Sequence, residues 1–132
     1  MIEQLAMQAH EVGRATYTAF NLQSFPEWKD LEAHERDTFT AIVETAATNR
    51  KLTGTEFHKL WSTTLKDQGW VIGPYPDAST KQHPGLVEFE KLPAHERQRI
   101  IIQAHFIKAS APLLSAAEPE KKPEPEKKPT KV

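Results

Sequence analysis

A mainly α-helical single domain of about four helices is the fold class this sequence predicts, and three observations carry it. Apolar residues recur at three- and four-residue spacing through most of the first 68 positions and again from about residue 93, the period of a helix with one buried face. Between these parts lies one long irregular stretch, GWVIGPYPDASTKQHPGLVEFEKLP (69–93), dense in glycine, proline and aromatic residues, with room for one or two short strands. The chain closes on EPEKKPEPEKKPTKV, which repeats PEKKP and holds no apolar residue before Val132. Such a segment cannot bury enough surface to offset its ordering entropy and is expected to be disordered. The expected organisation is a helical domain over residues 1–112, with a signature segment at 57–93, and a disordered Pro/Glu/Lys tail over 113–132.

The first helix is expected over residues 2–20, with Ile2, Leu5, Ala6, Ala9, Val12, Gly13, Thr16, Ala19 and Phe20 on one face. NLQSFPEW then interrupts it. Pro26 suits an early helical position, with Ser24 and Glu27 at capping-box spacing beside it. A second helix follows over about 33–48, with Phe39, Ile42, Val43 and Ala46 inward. Thr53 or Thr55 caps a third, running to about Gln68 and burying Phe57, Leu60, Trp61 and Leu65, and Gly69 stops it. The last helix starts at Pro93 and runs to about Ala109.

One internal echo stands out. WKDLEAHER (28–36) and FEKLPAHER (89–97) share the pattern aromatic-x-x-Leu-x-Ala-His-Glu-Arg. It reads either as a repeated helix entry, with Glu35 and Glu96 at the positive end of each helix dipole, or as a pair of ligands, His34 and His95.

Composition excludes several classes. Seventeen basic and 18 acidic residues leave a net charge of −1, which lacks the basic excess of a nucleic-acid binder. The absence of cysteine removes disulfides, thiolate zinc sites and cysteine nucleophiles. The N-terminal stretch has no basic region followed by an apolar run, and no window approaches the roughly 20 apolar residues of a membrane span, so a cytoplasmic protein without membrane contact is expected. His10-Glu11-x-x-Arg14 is half of a zinc-hydrolase motif whose second histidine is replaced by arginine, and the six histidines are scattered one per segment. No metal, no cofactor and no catalytic residues are expected.

Two sets of residues are candidates for binding. On the first helix His10, Arg14 and Tyr17 form a polar stripe beside the apolar face, fit either to line a pocket or to border the core. Around the irregular stretch Trp61, Trp70, Tyr75 and Phe89 can supply apolar walls, or serve as core under a loop. Asp77, Lys81 and His83 can supply a few placed polar groups. Prolines 74, 76 and 84 would hold that loop rigid. In an extended segment Lys81 and His83 would leave on the same side, as an anion site requires.

The residues FHKLWSTTLKDQGWVIGPYPDASTKQHPGLVEFEKLP resemble the RyR domain, a repeat of ryanodine receptors also found in small proteins of bacteria and phages. The family pattern falls on His58, Trp61, Gly69, Trp70, Gly73, Asp77, His83, Pro84, Leu86, Val87, Phe89, Leu92 and Pro93. It departs at Ile72, where an aromatic is usual, and at Glu88-Phe89, where the pattern has Pro-Tyr. A looser likeness extends over residues 2–109. The resemblance implies a helical fold, no enzyme activity, and a link to adenine-nucleotide binding and regulation. It implies a non-catalytic module binding a small nucleotide-type ligand, in a host cytoplasm if phage-encoded. Trp70, Tyr75, Asp77, Lys81, His83, Phe89, His10, Arg14 and Tyr17 would be its contacts. The other reading is a protein-interaction adaptor with the tail as tether, and a homo-oligomer is compatible with either.

Overall fold

The computed structural model describes the backbone of residues 2–20, 22 and 25–117, with side chains through residue 113. Four helices make the fold: α1 (Ile2–Ala19), α2 (Ala33–Ala47), α3 (Gly54–Asp67) and α4 (Ala94–Ala117). Short 3-10 turns at Trp28–Asp30 and Phe89–Lys91 lead into α2 and α4. The core lies between the helices and is built from Leu5, Ala9, Val43, Leu52, Phe57, Leu92 and Ile107, with their buried neighbours.

α1 buries Leu5, Ala6, Ala9, His10, Gly13 and Thr16. Its buried face is therefore turned toward His10, and Ala19 and Phe20 lie exposed instead of inward. The Ser24 cap lies outside the described residues. Pro26 leads into the first 3-10 turn, and the capping interaction sits six residues further on, where the Glu35 carboxylate accepts from the Glu32 N–H at 3.0 Å. Thr53 caps α3 by accepting from the Glu56 N–H at 3.1 Å. Gly69, at φ +94°, ends α3 in a left-handed residue. The Trp70 N–H reaches the Leu65 carbonyl and the Gly69 N–H the Lys66 carbonyl, both at 3.0 Å, the paired bonds of a Schellman ending.

No strand forms among the described residues. The stretch after Gly69 doubles back through two isolated bridges, Val71 with Gln82 and Asp77 with Gln82. Gly73 is needed there, because a Cβ would lie 2.5 Å from the Gln82 Cβ. α4 passes the expected end at Ala109 and runs through Pro112 to Ala117. Residues 109–117 are mostly alanine and leucine, strong helix formers, and they carry the helix past the proline. The first five residues of the tail expected to be disordered (113–132) are therefore helical, and residues 118–132 lie outside the described residues.

The echo proves to be an internal repeat. Each copy is a helix, a connection, a 3-10 turn and a second helix, so α1–α2 and α3–α4 are two versions of one unit. His10 on α1 donates through Nε2 to the Pro26 carbonyl at 2.7 Å, and His58 on α3 donates through Nε2 to the Val87 carbonyl at 2.7 Å. Each accepting carbonyl stands two residues before the aromatic of its turn, Trp28 or Phe89. Arg36 then returns to the Leu31 carbonyl and Arg97 to the Leu92 carbonyl. Helix entry is thus the reading of the echo that the structure bears out. His34 is largely exposed beside Glu32, and among the described residues no group of three or more His, Asp or Glu can hold a metal. The second copy differs by the long inserted stretch after Gly69.

Candidate functional site

Repeated positions diverge at one residue that matters. In α2 the Glu35 carboxylate is occupied with the Glu32 N–H. Pro93 stands at the corresponding place before α4 and has no N–H to offer. Glu96, the counterpart of Glu35, is therefore free of capping duty and turns into the body of the protein. It accepts from the Tyr17 hydroxyl of α1 through Oε2 and from Arg99 Nη2 at 2.8 Å through Oε1.

Arg99 is the centre of the cluster. Its Nη1 donates to Gln103 Oε1 at 2.7 Å, and Gln103 Nε2 in turn donates to the Ala9 carbonyl at 2.9 Å, which ties α4 to α1. The guanidinium carbon lies 5.6 Å from the centre of the Tyr17 ring and 5.9 Å from that of Phe25, cation–π distances. Arg99 Nε is buried and has no hydrogen-bond partner among the described residues. Unpaired buried donors are rare because each forfeits its hydration with nothing in return.

The second wall is aromatic and neutral. Trp61 stacks on His58 with ring centroids 5.4 Å apart and meets the edge of His83 at 4.8 Å. His83 Nδ1 accepts from the Gly85 N–H at 2.9 Å, which leaves its proton on Nε2. Burial first, and then the Arg99 charge, hold the His83 pKa below its ordinary value. The Tyr17 hydroxyl is pushed up to about 12, by burial first and by its bond to Glu96 second. Glu96 is held below the usual carboxylate range: burial, the largest influence, pushes it up, but its bonds to Tyr17 and Arg99 together outweigh that.

The expected contacts are distributed as follows. Tyr17 belongs to this cluster, and His83 lies against Trp61, near enough for the Arg99 and Glu96 charges to act on it. Arg14 borders it and points elsewhere, donating through Nε to the Phe25 carbonyl at 3.0 Å and pairing with Glu11 at 2.6 Å. Together with His10 it fastens the connection before α2. Lys81 is not in extended backbone: its φ is +56°, and its Nζ donates to the Gln68 carbonyl at 2.8 Å, closing the end of α3. Lys81 and His83 therefore do not form the same-sided pair that an extended segment would give. Asp77 is occupied by the Ser79 N–H and hydroxyl at 3.0 and 2.7 Å, bonds that lower its pKa. Phe89 packs inward against the core beside His58, Tyr75 is 72% exposed on the loop, and Trp70 is half-buried, so these three do not form one wall. Sequence reading missed Glu96 and Arg99 as site residues. The signal for Glu96 was present in the echo, as the exchange of Glu32 for Pro93.

A duplicated pair of helices, joined through an irregular loop and enclosing a buried polar cluster against aromatic rings, defines a helical domain of two repeated units. The RyR domain family model matches residues 37–108, more than half of the chain, and the protein belongs to the RyR domain family. That family is a non-catalytic one. No helix among the described residues is long and apolar enough to cross a membrane.

Proposed function

We propose that this protein is a non-catalytic binding module for a small anionic ligand of nucleotide type, held at the cluster of Tyr17, His83, Glu96 and Arg99 beside Trp61. The observation that carries the reading is Arg99, whose guanidinium lies over two aromatic rings and whose Nε–H has no partner among the described residues. Glu96 and Gln103 use one N–H each, so three N–H donors are left for an anion. Arginine suits phosphate and carboxylate because its donors form a planar fork. The neighbouring Trp61, Tyr17 and Phe25 rings offer faces or edges to a base. In a phage or bacterial setting such a module would sequester or sense a signalling nucleotide.

The test is a thermal-shift screen with mono-, di- and cyclic nucleotides, followed by calorimetry on any that bind. Wild-type protein should bind without turnover, Arg99→Gln should weaken binding at least about tenfold, the scale of one charge-assisted hydrogen bond, and Tyr75→Ala should leave it unchanged. No shift with any nucleotide overturns the reading.

A second reading has its own observation. Val71, Ile72 and Tyr75 are 53%, 57% and 72% exposed on the inserted loop, an apolar patch suited to a protein partner. Binding that survives Arg99→Gln and is lost in Tyr75→Ala favours this adaptor reading.

A further inference from the structure

We infer that Glu96 sets the specificity of the Arg99 cluster, restricting its ligand to a single negative charge at the point of contact: a phosphodiester, not a terminal phosphate. This rests on the binding function proposed for that cluster and adds the charge of the group that Arg99 receives.

Arg99 supplies the attraction. Its Nε–H is buried with no partner among the described residues, and one N–H remains on each Nη beyond the bonds to Gln103 and Glu96. Those donors suit a pair of anionic oxygens. The charge behind them is already shared. Glu96 Oε1 accepts from Arg99 Nη2 at 2.8 Å, and Glu96 Oε2 accepts from the Tyr17 hydroxyl. Both carboxylate oxygens are held, and the side chain is only 23% exposed. Burial pushes the Glu96 pKa up, but its bonds to Tyr17 and Arg99 outweigh that and keep it ionised. The pair therefore has no net charge. Helix entry does not demand it, because Thr38 stands in the first copy where Arg99 stands in the second, and Glu35 is spent on its cap.

The groups facing the pair do not restore a fixed positive charge. Tyr17, from α1, keeps its proton up to about 12. His58, from α3, and His83, from the inserted stretch, are pushed toward the neutral form, by burial first. His95 Nε2 lies 3.6 Å from Glu96 Oε2 and adds charge only when protonated. Arg14 is paired with Glu11, and Lys81 Nζ bonds to the Gln68 carbonyl, so these flanking cations are engaged elsewhere.

This balance selects among anions. The desolvation cost of an ion rises with the square of its charge, whereas its attraction to a fixed charge rises only linearly. With Glu96 cancelling much of the Arg99 field, hydrogen bonds from Arg99 can offset the first charge of a ligand but not a second. A phosphodiester carries one charge at neutral pH. A terminal phosphate carries nearly two, its second pKa being about 6.

Calorimetry on the full chain tests this with AMP and GMP, each against its phosphate methyl ester, which keeps base, sugar and phosphorus and removes one charge. At about pH 7.5 each ester should bind at least about tenfold more tightly than its parent. Glu96→Gln keeps a hydrogen-bonding group between Tyr17 and Arg99 without the charge, and should shift the preference toward the free phosphate by at least about tenfold. The wild-type comparison needs no variant, so it decides the matter even where Glu96→Gln does not fold. Wild-type protein that binds AMP or GMP as tightly as the ester overturns the inference and leaves the proposed binding function standing, as does a folded Glu96→Gln with an unchanged preference. No binding of any of these probes overturns the binding function itself, and the inference with it.

Discussion

Gly13 shows how one residue decides the closest approach in the fold. It sits in the middle of α1, where glycine costs roughly 1 kcal/mol relative to alanine on backbone entropy. A Cβ at that place would lie 2.6 Å from Gln103 Nε2 and 3.2 Å from the Phe25 ring. Gln103 has no room to yield, because it is 2% exposed and held by bonds to Ala9 and Arg99. The overpacking cost, about 1–3 kcal/mol, therefore exceeds the helix gain, and breaking the Gln103 bonds adds to it. Gly13→Ala is expected to destabilise the protein by about 1–2 kcal/mol in urea unfolding. A stabilised variant would show that α1 and α4 can separate without cost. The same side chains connect this contact to the site, since Gln103 positions Arg99.

At the scale of the element, the two versions of one helix entry do different work. Glu35 makes a capping bond at the exposed start of α2, so Glu35→Ala should cost about 1 kcal/mol. Glu96 balances Arg99, whose side chain is 21% exposed, so Glu96→Ala leaves a largely buried charge without its carboxylate and should cost about 3–5 kcal/mol. Equal losses in the two variants, measured by chemical denaturation, would place Glu96 in capping as well. The existence and order of the helices could be read from periodicity, and Thr53 and Gly69 from end chemistry, because those signals are local. The divergence of Glu96 is only half legible: the exchange of Glu32 for Pro93 shows locally that the carboxylate loses its capping partner, but its new role depends on Tyr17, 79 positions away. Lys81 departs from the expected extended backbone for a related reason: its left-handed conformation goes with a contact of Nζ to the end of α3, 13 positions away and outside the local window.

Across the whole molecule, three histidines join the connections to the helices, and burial favours the neutral form of each. His10 and His58 each donate a hydrogen bond to a backbone carbonyl, and His83 uses an unprotonated Nδ1 to accept from the Gly85 N–H. Burial is the first cause that lowers the pKa of each below the ordinary 6.5, and the positive charge of Arg99 contributes to all three. The unfolded chain takes up protons at these sites as pH falls through about 6.5, while the folded chain does so only lower down. Between those limits the unfolded state binds more protons, so stability must rise with pH there. The contribution of the histidines is complete above about 6.5 and is lost as pH drops below it toward their lowered folded values. Glu11 and Glu96 have pKa values below the ordinary 4.5, so their losses come at more acidic pH and do not overlap that window. The melting temperature is therefore expected to be flat between about pH 7 and 9, to fall as pH drops below about 6.5, and to fall again above about pH 10, where the unfolded chain loses the Tyr17 proton that the folded chain holds up to about 12. His58→Gln keeps a donor at the reach of Nε2 and cannot titrate, so it should reduce the steepness of the acidic fall by roughly one third, one proton of three. An unchanged profile in His58→Gln would mean that His58 is already released from Val87 before unfolding, and that the connection into α4 opens ahead of the rest of the fold.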